Sequence, residues 1–241
     1  MLACMAAQDA IAQNLANAST TGFKQDVPQY ESFQSMLLDR MSGAASGGGS
    51  VGSLGTGVTV QNIATDYSQG ALQSTGNTLD VALTGNAYLA VKTPSGTHYT
   101  RDGALTRDSS GTLMVSGSNT PVLDTNGNTI TIPSTAKNIT ITQQGQISAD
   151  GTPVGQLALV GLDNTSGATK VGSSEYTAAN PVTPSADASV RQGYLESSNV
   201  NTVSAMVAMI QAQRNYETNA KMLQVEDETT EKAVSTVAVT Q

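Results

Sequence analysis

The sequence predicts an α+β fold in which terminal α-helices pair as a coiled coil and an all-β domain is inserted between them. Three observations predict it. Apolar residues recur at helical spacing near the N-terminus. Short β-branched runs separated by turn dipeptides fill the middle. A C-terminal stretch from Asn199 to about Val239 contains neither Gly nor Pro.

Composition narrows the function classes. The chain has 241 residues, a net charge of −8 and a mean hydropathy of −0.16, enough for one generous domain or two modest ones. With no Trp and 2 Phe, the core must come from Val, Ile, Leu, Met and Ala. An excess of 19 Asp+Glu over 11 Lys+Arg argues against a nucleic-acid partner, whose phosphates demand cationic neutralisation. No apolar run reaches the roughly 20 residues of a bilayer span, so no membrane insertion is expected. Cys4 stands alone, which excludes an intrachain disulfide. The opening segment lacks a basic start and carries Gln8, Asp9, Gln13 and Asn14, unlike a cleavable secretory signal. Charged residues make up 12% of the chain, about half the usual share. Surfaces covered by like subunits would explain that, because charges are costly to desolvate; so would a polar β-rich surface, and composition leaves both open.

The elements follow in order. From Leu2 to about Ala18, Ala3, Ala7, Ala10/Ile11 and Leu15 fall at helical spacing. Ser19-Thr20-Thr21-Gly22 ends the pattern, with Gly22 expected at positive φ and Phe23 anchoring the outgoing strand. Ser42 to Gly57 is a Gly/Ser stretch, read as a flexible or extended connection. From about Val58 to Val190 the grammar is antiparallel sheet. Runs such as Val58-Thr59-Val60, Leu79 to Leu83, Tyr88 to Val91, Ile130 to Ile132, Ile139 to Ile141 and Leu157 to Val160 are punctuated by Asp102-Gly103, Asn126-Gly127 and Asp150-Gly151. The final stretch carries Val200, Val203, Val207 and Ile210, then Tyr216, Ala220 and Leu223, and would make a helix about 60 Å long. Ser198 or Asn199 is the expected N-cap. So long an apolar stripe needs partners. The N-terminal helix is the natural one within the chain, and the surface left over favours association of further copies. Read this way, the chain is a polymerising subunit.

Four blocks of the sequence then carry a resemblance. Asn14-Leu15-Ala16-Asn17 with Ser19 to Lys24 resembles the N-terminal signature of flagellar rod and hook axial proteins. Gly76-Asn77-Thr78-Leu79-Asp80-Val81-Ala82-Leu83 and Tyr99-Thr100-Arg101-Asp102-Gly103 resemble their mid-chain blocks. Gly193 to Asn201, with Met206-Val207 and Gln213 to Glu217, is similar to their C-terminal signature. The likeness is strongest to the flagellar basal-body rod branch, because the body is too short for a hook protein. The resemblance implies inner terminal helices, a connecting hairpin region and an outer β-domain. The division it suggests is 1–24 with 195–241 as the helical assembly domain, 25–66 with 185–194 as the connecting region, and 67–184 as the outer domain. It also implies a structural, non-enzymatic subunit of the rod, located in the flagellar basal body. Such a subunit is exported through the flagellar export apparatus and is partnered by copies of itself and by other rod and hook proteins. The proximal-rod type is preferred. The distal-rod type, or a secreted carbohydrate-binding or peptidoglycan-acting β-domain, stands as the alternative.

The expected assembly interface comprises Ile11, Asn14, Leu15, Asn17 and Phe23 from the start of the chain. From its end come Val200, Val203, Val207, Ile210, Gln213, Arg214, Tyr216, Glu217, Ala220 and Leu223. Asn14 and Asn17 flank Leu15 and suit register-setting contacts between helices, while Arg214 and Glu217 stand at a spacing that allows pairing. No cofactor is expected. One His and one Cys cannot supply a structural zinc site, and Gly52 to Gly57 lacks the Lys-Ser/Thr of a phosphate loop. Asp124 to Asn128 reads as a hairpin turn rather than a calcium loop. The single His98, in a strand-turn, is expected to be an ordinary strand residue.

Overall fold

In the computed structural model, which describes residues 2–32, 36–39, 50–54, 57–162 and 167–239, the first helix α1 spans Leu2–Ala16. The last helix α2 spans Thr202–Val239, 38 residues or about 57 Å. The chain divides into two compact units: Met1–Leu15, Asp26–Asp66 and Asn201–Gln241 form one, and Ala16–Gln25 with Tyr67–Val200 form the other.

The first unit holds both helices and two antiparallel strand pairs. Strand β1 (Asp26–Ser32) pairs with a later strand, Val58–Thr65, through a bulge at Gln29/Tyr30. Between them β2 (Met36–Asp39) pairs with β3 (Ser50–Leu54), making Val58–Thr65 strand β4. Most of the Gly/Ser stretch from Ser42 lies outside the described residues; its described part, Ser50–Leu54, is extended. Helix α1 buries Ala7, Ala10 and Asn14, one face at helical spacing.

The second unit is all-β, and among the described residues its strand pairings are antiparallel. Strands β5 (Leu72–Ser74), β6 (Val81–Thr84), β7 (Tyr88–Thr93) and β8 (Gly96–Thr100) are followed by β9 (Leu105–Arg107), β10 (Leu113–Val115) and β11 (Thr120–Pro121). Then come β12 (Ile139–Ile141), β13 (Gln146–Ala149), β14 (Thr152–Gln156), β15 (Leu159–Val160), β16 (Thr169–Lys170), β17 (Glu175–Thr177), β18 (Ser189–Gln192) and β19 (Tyr194–Glu196). The central sheet runs β15-β7-β8-β17-β16. Strand β7 is buried on both faces, which is why Tyr88 to Val91 reads as a continuous apolar run. Leu89 and Val91 enter one core with Leu83, Leu113, Ile132 and Ile147. Tyr88 and Ala90 enter a second with Tyr99, Leu123, Leu162 and Tyr176. At the β13–β14 turn Asp150 and Gly151 have φ of 49° and 82°, the paired positive values of a two-residue hairpin loop.

Three expectations change in detail. Ile130 and Ile132 are buried on either side of the exposed Thr131, but the segment makes only an isolated bridge, Thr112↔Thr131, rather than a strand. The segments 17–24 and 195–201, grouped from sequence with the helices, lie outside them, as a turn with extended chain and as a strand with a loop. The N-cap of α2 is Asn201, whose Oδ1 accepts from the Ser204 amide at 3.0 Å. Ser198 and Asn199 are occupied elsewhere: Ser198 Oγ accepts from the Val200 amide, and Asn199 Oδ1 from the Gln25 amide at 2.8 Å.

Candidate assembly surface

Sequence reasoning missed one buried feature of the second unit, although its three charged residues, Lys24, Arg101 and Glu196, each belong to a block that carried the resemblance. Gly22 turns the chain at φ 67°. A Cβ there would meet the Arg101 carbonyl carbon at 2.5 Å, so only glycine fits. Phe23 follows, fully buried, with Lys170 Nζ 3.9 Å from its ring centroid. Lys24 then places its ammonium 2.6 Å from Glu196 Oε1, and both side chains are wholly buried. Glu196 Oε2 accepts from Arg101 Nε at 2.9 Å, and Oε1 also accepts from the Gly70 amide at 2.8 Å. Lys24 donates further to the Ser68 carbonyl and Arg101 to the Leu83 carbonyl. The four blocks of the sequence therefore meet at one knot of charge. The readable signal was the scarcity of charge itself: in so lightly charged a chain, Lys24 next to Phe23 and Glu196 next to Leu195, with Arg101 between them in sequence, were candidates for buried pairs.

Burial dominates the titration of the groups beside it. It pushes the Tyr88 hydroxyl up to about 12 against the pull of Arg101, whose guanidinium lies over the Tyr88 ring at 5.3 Å. It also holds the Asp102 carboxyl above the usual carboxylate range, although Thr21 and the Ala104 amide pull it down. Asp102 Oδ1 accepts from Thr21 Oγ1 at 2.5 Å, a second tie between the N-terminal turn and the β-body.

In the first unit, Asn14 is buried and makes a reciprocal pair with the Asp26 backbone, donating from Nδ2 at 2.7 Å and accepting at Oδ1 at 2.9 Å. Its amide thus fastens α1 to the start of β1 rather than meeting another helix. Asn17, in the second unit, ends the helix: its Oδ1 accepts from Thr20 Oγ1 and its carbonyl from the Thr20 amide. Leu15 and Ile11 are half-buried. Cys4, Ala7 and Ile11 share a cleft of about 190 Å³ with Tyr30, Ala208, Gln211, Ala212 and Asn215, and Asn219 Nδ2 lies 3.6 Å from Cys4 Sγ.

Helix α2 carries two stripes. Ala205, Ala208, Met209, Ala212, Tyr216, Asn219 and Ala220 are half-buried and recur at helical spacing. Val203, Met206, Val207 and Ile210 form another, about 150° away around the axis, and are 70%, 53%, 49% and 57% exposed. Small residues therefore occupy the in-chain face, and the aliphatic residues singled out from sequence point to solvent. Val200 is half-buried, in the second unit, while Leu223 is exposed. Gln213, Arg214 and Glu217 are exposed too. Arg214 does not pair with Glu217, which accepts instead from Gln213 Nε2 at 3.3 Å, one turn away.

Among the described residues, no group of three or more His, Cys, Asp or Glu side chains could hold a metal ion, and no helix is long and apolar enough to cross a membrane.

Comparison with known proteins agrees with these blocks. Residues 3–24 match a family model described as flagella basal body rod protein, residues 82–149 one described as flagellar hook protein FlgE/F/G D1 domain, and residues 191–236 one described as flagellar basal body rod FlgEFG protein C-terminal. The chain is 35% identical to the flagellar basal-body rod protein FlgG of Bacillus subtilis, over 94% of this chain and 92% of the relative. It is 35% identical to the flagellar basal-body rod protein FlgF of Caulobacter vibrioides, over 95% and 89%. It is 29% identical to the flagellar hook-basal body complex protein FlhO of Bacillus subtilis, over 98% and 95%. With identity at this level along nearly the whole of both chains, and with the matched segments meeting at the Lys24–Glu196–Arg101 knot, this chain belongs to the flagellar basal-body rod protein family.

Proposed function

We propose that this chain is a structural subunit of the flagellar basal-body rod, polymerising through its terminal helices into the axial tube that transmits torque to the hook. One observation carries the reading: the aliphatic stripe Val203, Met206, Val207 and Ile210 is open to solvent on the side of α2 away from its half-buried alanine stripe. Each such side chain gains roughly 1.5–3 kcal/mol when fully buried, so association of copies through this face is strongly favoured. In the assembled tube α1 and α2 pair as a coiled coil, and the exposed stripe packs on neighbouring helices. The subunit resides in the flagellar basal body, reaches it through the flagellar export apparatus, and contacts copies of itself and other rod and hook proteins.

The proximal-rod type is the one we favour; the Gly-rich segment Ser42 to Gly57 leaves the choice between the two types open. Relatives named FlgG as well as FlgF keep the distal-rod type as the second reading. The test is deletion of the gene with mass spectrometry of purified basal bodies. The reading predicts non-motile cells whose basal bodies lack a complete rod, and the presence of this chain in wild-type particles. Normal swimming without the gene, or basal bodies free of the chain, would refute it.

A further inference from the structure

The rod role makes no use of His98, yet the fold holds this side chain with care. It sits on β8, 6% exposed, and both ring nitrogens are engaged. Nδ1 lies 2.9 Å from Glu175 Oε2, across the sheet on β17, and Nε2 lies 3.1 Å from Ser95 Oγ in the exposed β7–β8 turn. A carboxylate accepts and cannot donate, so in the neutral imidazole the Nδ1 proton faces Glu175 and Nε2 is left to accept from the serine. Thr93 steadies the hydroxyl: its own hydrogen goes to the Gly96 carbonyl at 2.8 Å, and its oxygen stands 3.1 Å from Ser95 Oγ as a second acceptor. An exposed hydroxyl, an imidazole within hydrogen-bond reach and a carboxylate orienting that imidazole together are the arrangement that activates a serine, whatever the fold.

We propose that Ser95 is an activated nucleophile that accepts acyl groups from activated carboxylic esters. Ser95 Oγ adds to the ester carbonyl carbon while its proton passes to His98 Nε2, and the imidazolium is stabilised by Glu175. The tetrahedral adduct collapses, the bond to the leaving oxygen breaks as His98 Nε2 gives that oxygen its proton, and an alcohol or phenol departs while Ser95 keeps the acyl group and the imidazole is neutral again. Water then attacks the acyl carbon, giving one proton to His98 Nε2, and the carboxylic acid leaves as Ser95 recovers its hydrogen. His98 is the general base and Glu175 a positioning residue. Because the turn is open to solvent, the class of substrate is esters with good leaving groups rather than amides.

The probes are p-nitrophenyl acetate and a fluorophosphonate, applied to the full chain, with the modified residue mapped by tandem mass spectrometry. Both should label Ser95 with a stoichiometry approaching one, and Ser95→Ala, at an exposed turn, should remove the label. Removal of the base in His98→Gln should slow labelling by about 10²–10⁴-fold. Since His98 is buried and that variant could fail to fold, the wild-type ring is also read by ¹⁵N NMR, where the Nδ1-protonated tautomer is expected. Absence of label, label at another residue, a rate unchanged in a folded His98→Gln chain, or a proton on Nε2 in the neutral ring would each overturn the proposal. Ser95→Ala should leave rod assembly intact, so this test stands apart from that of the structural role.

Discussion

Replacing Glu196 with alanine should unsettle the second unit more than any exposed substitution. The carboxylate is wholly buried and accepts from Lys24, Arg101 and the Gly70 amide at 2.6, 2.9 and 2.8 Å. Removing it leaves two cations that are almost fully buried facing each other without their shared partner. Breaking a buried pair in this way costs about 3–5 kcal/mol, a large part of the roughly 5–15 kcal/mol that keeps a domain folded. In urea unfolding, at a slope of ~2 kcal/mol per molar, the midpoint of the second unit should fall by about 2 M. The knot need not be a net source of stability. Changing Lys24→Met, Arg101→Leu and Glu196→Leu together should recover most of that loss, because no ion then remains to be desolvated. A midpoint shift below about 0.5 M for Glu196→Ala would refute the reasoning, and so would a triple variant less stable than the single one.

Other outcomes test other parts of the account. Val207→Asp and Ile210→Asp should leave the free chain's stability within about 0.5 kcal/mol of the parent, as is usual at exposed positions. They should nevertheless abolish motility, and unchanged swimming would count against the helix surface as an interface. Asn14→Ala removes both hydrogen bonds to the Asp26 backbone and should cost about 1–3 kcal/mol, read as lost amide-exchange protection at Asp26; retained protection would contradict it. Asp102 gives a pH signature. Its folded pKa is raised by burial, so the folded state takes up the proton first. Its contribution to stability therefore grows as pH falls through the folded value and levels off below the unfolded value of ~3.9. Asp102→Asn should be more stable than the parent at neutral pH with a flatter profile in melts across this range, and a less stable variant would be the contrary result.

The sequence was most legible where a regular period ran unbroken. Both helices appear within a few residues of the expected bounds, because Asn17 closes the first and Asn201 caps the start of the second by ordinary backbone chemistry. The β-body was legible through Asn126-Gly127 and Asp150-Gly151, but Ile130 to Ile132 failed as a strand. Its alternation reflects core burial, and only one bridge forms there. Asn14 was read as a register-setting contact between helices, and its bond to the Asp26 backbone was not foreseen, since that pairing depends on how the chain doubles back after Gly22. Two readings of α2 could not be separated from the period alone. Its Val/Ile stripe looked like the natural seat for α1, yet the half-buried stripe is the alanine one, whose small side chains allow closer approach of backbones. The Lys24–Glu196–Arg101 knot joins residues remote in the chain, and the Ser95–His98–Glu175 relay needs the register of β8 beside β17. Which residues pair in either is not visible without the fold.

The account turns on what covers Ile210, and a photoreactive p-benzoylphenylalanine at that position, irradiated in intact basal bodies, answers it most directly. Covalent adducts joining this chain to a second copy or to another axial protein are the predicted result. A chain that is present in the particles yet yields only uncrosslinked or internally linked monomer would contradict it.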